Sequence, residues 1–396
     1  MAKLNLALVG AGRRGAGAHL PVIPKLSDTY DFVAICDIDE KVANEKAEQY
    51  GVRAYTNIRD MVANEDLDVV DVTVPGPAHH AVCVYLADHG IHVVCETPIA
   101  VTRRLSDMMI EAAQRNGTVL EIAENYYRNP IERFKSEVIR RGIIGKVGRI
   151  YRIFHEGGYH GMSMLRIRAG GNPTQILGIT HSMPVVKHTD RMKRTHTAEN
   201  WSLGYLDFDT GATAIMIYSN VIHARSLGRK IGGVSQVDGS AGTIVDDTVY
   251  VVPAEELETG AVAKPYEPRR ITEEVDGVKV LKRIEIDFPG ETVVWENPLA
   301  HLPLSEGQIA VADEILSVAR AIETGEPPEY GAEAGRLDQE MSLAMAESSR
   351  RNRETLTFPI DDPTEGEARI HERFAEEYGA PADDIEGLLD VFFPRR

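Results

Sequence analysis

The sequence predicts an α/β chain: a doubly wound parallel sheet, then a C-terminal α+β domain with a large, open, mostly antiparallel sheet. Three observations lead there. Short apolar runs alternate with helical patterns from Leu4 to about Ala123, the rhythm of right-handed β-α-β crossovers. The first run breaks straight into Gly10-Ala11-Gly12-Arg13-Arg14-Gly15. From Gly148 onward the pattern changes to strands separated by turn signals.

In order, Leu4–Val9 is a buried strand and Phe32–Cys36 a second. Asp39 to Tyr50 carries Val42, Ala43, Ala47 and Tyr50 at helical spacing. Leu67–Val74 is a strand, Ala78–Asp88 a helix closed by Gly90, and Ile91–Cys95 a strand. A helix over Leu105–Asn116 stops at Gly117, and Thr118–Ala123 is the last strand of the series. Pro130–Arg141 reads as a helix. The later strands are Gly148–Glu156, Trp201–Phe208, Ala212–Asn220, Ile231–Asp238, Val249–Pro253 and Val278–Asp287. Along Ala212–Asn220 both faces are apolar, so both should be covered, one by helices and the other by a subunit or the cofactor domain. Helices return over 308–323 and 333–351. These divisions give domains over 1–124 and 125–360, with helices over 308–353 able to fold back on the first. Residues 361–396 form an acidic arm.

The net charge of −18 speaks against a nucleic-acid partner and gives no basic stripe for a membrane surface. No apolar run approaches the roughly 18 residues of a membrane span. The cysteines Cys36, Cys83 and Cys95 are odd in number and sit in apolar elements. They read as reduced thiols of a cytoplasmic protein.

The spacing G-x-G-x-x-G has a mechanism. Gly10 allows the tight turn out of the strand, Gly12 lets the backbone approach a pyrophosphate, and Gly15 lets the next helix pack on the strand. Arg13 and Arg14 stand where the phosphates would lie. Asp37 ends the second strand about twenty residues on, where an acid binds the adenosine ribose hydroxyls. An acid there favours NAD over NADP, whose 2′-phosphate would meet like charge.

The ordered set of motifs resembles the Gfo/Idh/MocA oxidoreductases over about Leu4 to Pro359. The residues that carry it are the glycine turn, Val74-Pro75-Gly76-Pro77-Ala78-His79, His92 to Ala100, Glu124 to Arg128 and Gly142 to Val147. The resemblance implies an N-terminal Rossmann domain and a sugar or polyol held between the nicotinamide and the second sheet. It implies that Val74, Pro75, Gly76 and His79 border the cofactor, as do Glu96, Thr97 and Asn125. A homodimer or homotetramer is implied as well.

The chain departs from that family where the chemistry is done. The usual Glu-Lys-Pro is Glu96-Thr97-Pro98, and the usual Asp four residues before a His is Leu177 before His181. A threonine supplies a hydroxyl but no cation and no base near neutral pH. His181 is therefore the expected acid/base, with Thr97 holding a ribose or substrate hydroxyl. Tyr126, Tyr127, Arg128, His155, His160 and Thr180 are expected around the substrate. Neither H-E-x-x-H nor a Cys/His cluster occurs, so no metal is expected. The function expected is NAD-dependent hydride transfer at a secondary alcohol of a sugar, cyclitol or derivative. One alternative is an NAD-dependent glycosidase or lyase, which oxidises transiently and keeps its cofactor bound. Another is a cofactor-binding protein without catalysis.

Overall fold

The computed structural model describes residues 2–394 except 192, 229–231, 254–255, 259–261 and 362. Ile231, the start of one expected strand, lies outside the described residues. The first sheet holds β1 (Leu4–Val9), β2 (Tyr30–Cys36), β3 (Arg53–Tyr55), β4 (Val69–Val72), β5 (His92–Cys95) and β6 (Leu120–Ile122). All pair in parallel, in the order β3-β2-β1-β4-β5-β6. The order reverses at β1, and the crevice outside its carboxyl end is where such sheets bind ligands.

The helices of this half are α1 (Glu40–Tyr50), α2 (Ile58–Asn64), α3 (His79–Asp88) and α4 (Arg103–Asn116). Asp39 caps α1 by accepting from the backbone of Lys41 and Val42, and left-handed Gly117 ends α4. The short pair β3 and α2 falls in a stretch without a clear apolar period, and the sequence did not reveal it.

The second half opens with α5 (Pro130–Arg140), β7 (Val147–Ile153), α6 (Gly158–Ala169), β8 (Pro173–Thr189), β9 (Thr195–Phe208) and β10 (Thr213–Ser219). After the short α7 (Asn220–His223) come β11 (Val234–Gly239), β12 (Gly242–Val245), β13 (Thr248–Val251) and β14 (Lys264–Tyr266). A three-stranded sheet follows, β15 (Arg269–Val275), β16 (Val278–Phe288) and β17 (Glu291–Glu296). The chain closes with α8 (Glu306–Thr324), α9 (Ala332–Arg350), β18 (Leu356–Thr357), α10 (Glu365–Tyr378) and α11 (Ile385–Leu388).

Among the described residues the large sheet runs β14-β13-β12-β11-β7-β10-β9-β8-β18. It is antiparallel except where β10 runs parallel to β7. One face packs on α6 and α9. A Cβ on Gly178 would come within 1.9 Å of the Met345 carbonyl, and one on Gly161 within 2.3 Å of Met216 Sδ. Ile176, Leu206, Ala214 and Met216 are buried on that side.

The opposite face is not covered by the described residues. Ile179, Leu203, Ile215 and Ile217 lie there side by side and only half-buried, beside the more exposed Met183 and Tyr205. The expectation of a helix-covered face is met by α6 and α9, and the other face is left to a subunit rather than to the cofactor domain.

Helix α8 lies against the parallel sheet. Ala312 and Ile315 share a core with Leu6, Leu8 and Val94, and the Tyr30 hydroxyl donates to the Ile315 carbonyl at 2.7 Å. The acidic arm is an ordered attachment rather than a loose tail. A reciprocal cap between Thr364 and Glu367 starts α10. The Glu367 carboxylate takes the buried Arg103 guanidinium at 2.7 Å. No described helix is long and apolar enough to cross a membrane.

Candidate active site

The strand tips build the cleft. Gly10, Gly12, Arg13 and Arg14 line it after β1, Asp37 after β2, Val74 to Ala78 after β4, and Glu96 with Thr97 after β5. Two glycines are required by close approach. Gly10 has φ +94°, and a Cβ there would lie 2.8 Å from the Thr73 and Val74 backbone. A Cβ on Gly15 would meet the Gly10 carbonyl at 2.3 Å and Thr73 Oγ1 at 2.6 Å. The turn is therefore shaped for a backbone-lined anion cradle, and the residues present fit a dinucleotide. Asp37 is buried at the rim and accepts from the Asp39 backbone at 3.0 Å. His79 does not face the cleft: it is wedged between the Val74 and Pro98 carbonyls (2.9 and 2.8 Å) and ties the two loops together. Asn125 is half-buried just beyond β6 and is absent from the cleft lining.

Behind Thr97 lies a buried ionic cluster. The glycine turn runs into a π-helical turn, Gly15–His19, which sinks His19 to complete burial. Its ring donates through Nδ1 to Asp71 at 2.7 Å and through Nε2 to Glu96 at 2.8 Å. Burial works against the charged ring, but Asp71 and Glu96 outweigh it and raise its pKa to about 10. Glu96 also takes the Arg14 guanidinium. Burial opposes its ionisation, yet His19 and Arg14 bring its pKa down to about 2.

Glu314, arriving on α8, is wholly buried 3.9 Å from His19, and neither of its oxygens has a hydrogen-bond partner among the described residues. Burial, with the Glu96 charge beside it, raises its pKa well above the ordinary carboxylate value against the pull of His19 and Arg14. His19, Glu96 and Glu314 offer donor atoms within 4.8 Å of one another, close enough for a metal ligand set. Charge balance points elsewhere: Arg14 and the His19 imidazolium already neutralise Asp71 and Glu96.

A second pair stands beyond Glu96. His160, in the first turn of α6, places Nδ1 2.8 Å from Oε2 of the fully buried Glu124. The Tyr126 ring lies 4.4 Å from the imidazole, and its backbone N–H donates to the other Glu124 oxygen at 2.9 Å. Burial lowers the His160 pKa, but Glu124 more than reverses this, and Glu96 and Glu156 add to the rise. Neither His160 nor Glu124 lines the glycine-turn cleft, but the charge of Glu96, which does, bears on the His160 ring.

Several expected substrate contacts lie elsewhere. His181 is exposed on β8, paired with Trp201 on the uncovered sheet face, and lines no part of the cleft. The stretch 173–189 is one long strand, so the Leu177 and His181 spacing does not present one helix face. Thr180 points the other way and bonds Ser349 of α9. Arg128 is buried and ties Glu121, Asp313 and Glu329 together (2.6, 2.7 and 3.1 Å). Tyr127 stacks on Tyr330 in the same interior. His155 borders a separate depression with Arg191, His223 and Asp246.

Sequence reasoning missed His19, Asp71 and Glu314, and named Glu124 without giving it a role. Glu124 was marked by its place just after the last parallel strand. Nothing local marks Glu314.

Comparison with known proteins agrees with this architecture. Residues 4–124 match the Gfo/Idh/MocA family, described as an oxidoreductase family with an NAD-binding Rossmann fold. An inositol 2-dehydrogenase from Salmonella typhimurium is 33% identical over 29% of this chain and 34% of its own. A levoglucosan dehydrogenase from Pseudarthrobacter phenanthrenivorans is 28% identical over 37% of this chain and 40% of its own. A solved levoglucosan dehydrogenase, in complex with NADH and levoglucosan, superposes on 90% of this chain and all of its own (TM-score 0.68, 18% identity). A 2,7-anhydro-N-acetylneuraminate hydratase from Mediterraneibacter gnavus is 29% identical over 37% of this chain and 38% of its own. The aligned regions thus span about a third to two fifths of these relatives' lengths.

Proposed function

We propose that this chain, whose residues 4–124 are a Gfo/Idh/MocA NAD-binding Rossmann domain, is an oxidoreductase acting on a secondary alcohol of a sugar, cyclitol or derivative. The observation that carries the reading is the His160–Glu124 pair, 2.8 Å apart and within electrostatic reach of Glu96, which itself lines the cleft. The dinucleotide, when bound, supplies the hydride acceptor; the protein supplies position and proton transfer. Gly10, Gly12 and Arg13 hold the pyrophosphate end, and Asp37 holds the adenosine ribose. Thr97 offers a hydroxyl to the nicotinamide ribose or the substrate. His160, with Glu124 fixing its ring, takes the alcohol proton as general base. The imidazole therefore replaces the family lysine in function, and His181 has no part in it.

A second reading is supported by the relative named as a hydratase: oxidation and reduction within one turnover, with no net change in the cofactor. A screen of polyols, aldoses and anhydrosugars with added NAD tests both. Stoichiometric NADH supports the first reading; product without NADH accumulation supports the second. Failure of the protein to bind NADH by calorimetry removes both. We also assign the half-buried sheet face of β8, β9 and β10 to contact with another copy of the chain, as a dimer or tetramer. A monomer mass in sedimentation would refute that assignment.

A further inference from the structure

The cleft that starts at the glycine turn has a wall the Rossmann half does not supply. Leu388, Leu389 and the segment Val391–Pro394 of the C-terminal arm line it together with Asp37 and Ile38. Two large apolar side chains are left exposed on this cleft: Ile38, 46% exposed, and Phe392, 63% exposed. Ile38 directly follows the acid that marks the ribose end. A pair of exposed apolar groups lining one cleft invites a flat apolar ligand.

The arm is held firmly enough to present a ring. Arg59 on α2 pairs with Glu386 and Asp390 (3.0 and 2.8 Å) and donates to the Glu386 carbonyl at 2.6 Å. His80 on α3 meets the Ala382 carbonyl at 2.7 Å. Phe393 is 7% exposed, its ring 4.9 Å from Tyr378, which in turn lies 4.7 Å from Phe374. Phe393 is thus an anchor, and its neighbour Phe392 is left outside the apolar cluster.

We propose that Phe392 forms one face of the adenine subsite, so that the base is held between its ring and Ile38. This rests on the reading of the cleft as a dinucleotide site. The ligand class is an adenine nucleotide, and the arm both stacks on the base and lies across its exit. A base–aromatic stack is worth enough to be read in binding, and a covering segment acts mainly on the dissociation rate.

The test titrates the full chain and its Phe392→Ala variant with NADH, ADP-ribose and reduced nicotinamide mononucleotide, which lacks adenine. The expected result is an affinity loss of about tenfold for NADH and ADP-ribose. It should fall mostly in the off-rate, with the mononucleotide unchanged. A Phe392→Trp variant should give an indole signal quenched by ADP-ribose. Affinities within twofold of the parent, or an equal loss for the mononucleotide, overturn the proposal while leaving the dinucleotide reading intact. A parent protein that binds none of the three removes the reading and the proposal together. Phe392 is at the surface, so an unchanged thermal midpoint separates lost stacking from lost folding.

Discussion

The two ends of the cleft are made in opposite ways. The dinucleotide end comes from contiguous turns at the tips of parallel strands, where the backbone itself is the binding surface. The proposed substrate end draws on side chains that are distant in sequence: Glu124 after β6, His160 on α6 and Glu96 after β5. A backbone cradle tolerates almost no added atom, whereas a side-chain pair tolerates changes of shape and fails through charge. The ends should therefore break differently.

The largest effect should come from the cradle. Gly15→Ala forces a Cβ against the Gly10 carbonyl and Thr73, and the loop must move. NADH binding should be lost in calorimetry, with destabilisation of about 3 kcal/mol in urea unfolding. Next comes His160→Ala, which should lower kcat by about 10²–10⁴-fold while NADH affinity holds. His181→Ala should leave both unchanged. A kcat that follows His181 and ignores His160 would reverse the assignment of the base.

The smallest effect is a change of pH profile. The His160 pKa lies above its ordinary 6.5 because of Glu124, and a general base works only when neutral. Oxidation should therefore rise with pH through an inflection above 6.5. Glu124→Gln removes the main stabilising charge and leaves the burial, so the inflection should move to lower pH. The same linkage bears on stability. The pair's contribution is full below the unfolded histidine pKa and fades as pH rises through the folded one. An unmoved inflection in Glu124→Gln would separate His160 from the proton step.

The contrast also explains what could be read in advance. The alternation from Leu4 to Ala123, the glycine turn, Asp37 and the Gly117 stop are local patterns, and local patterns survive in a sequence. Glu314 sits mid-helix in α8 and gains meaning only because that helix returns to the parallel sheet. His181 was chosen for its place in the family motif, which does not say how its stretch folds. The β-branched Thr174, Ile176, Ile179, Thr180, Val185 and Val186 in the same stretch favour the strand that forms. In α6, glycines and methionines blur the helical period, yet Gly161 is there so that the helix can lie close on β10.

The return of α8 has a consequence for biosynthesis. Leu6, Leu8 and Val94 present an apolar surface that Ala312 and Ile315 cover, and these residues leave the ribosome some three hundred positions after Leu6. A nascent chain that has reached only Glu124 holds a sheet with one side bare, prone to sticking until its cover is made. A fragment ending there should be recovered from cells as aggregate, although it carries the whole glycine turn.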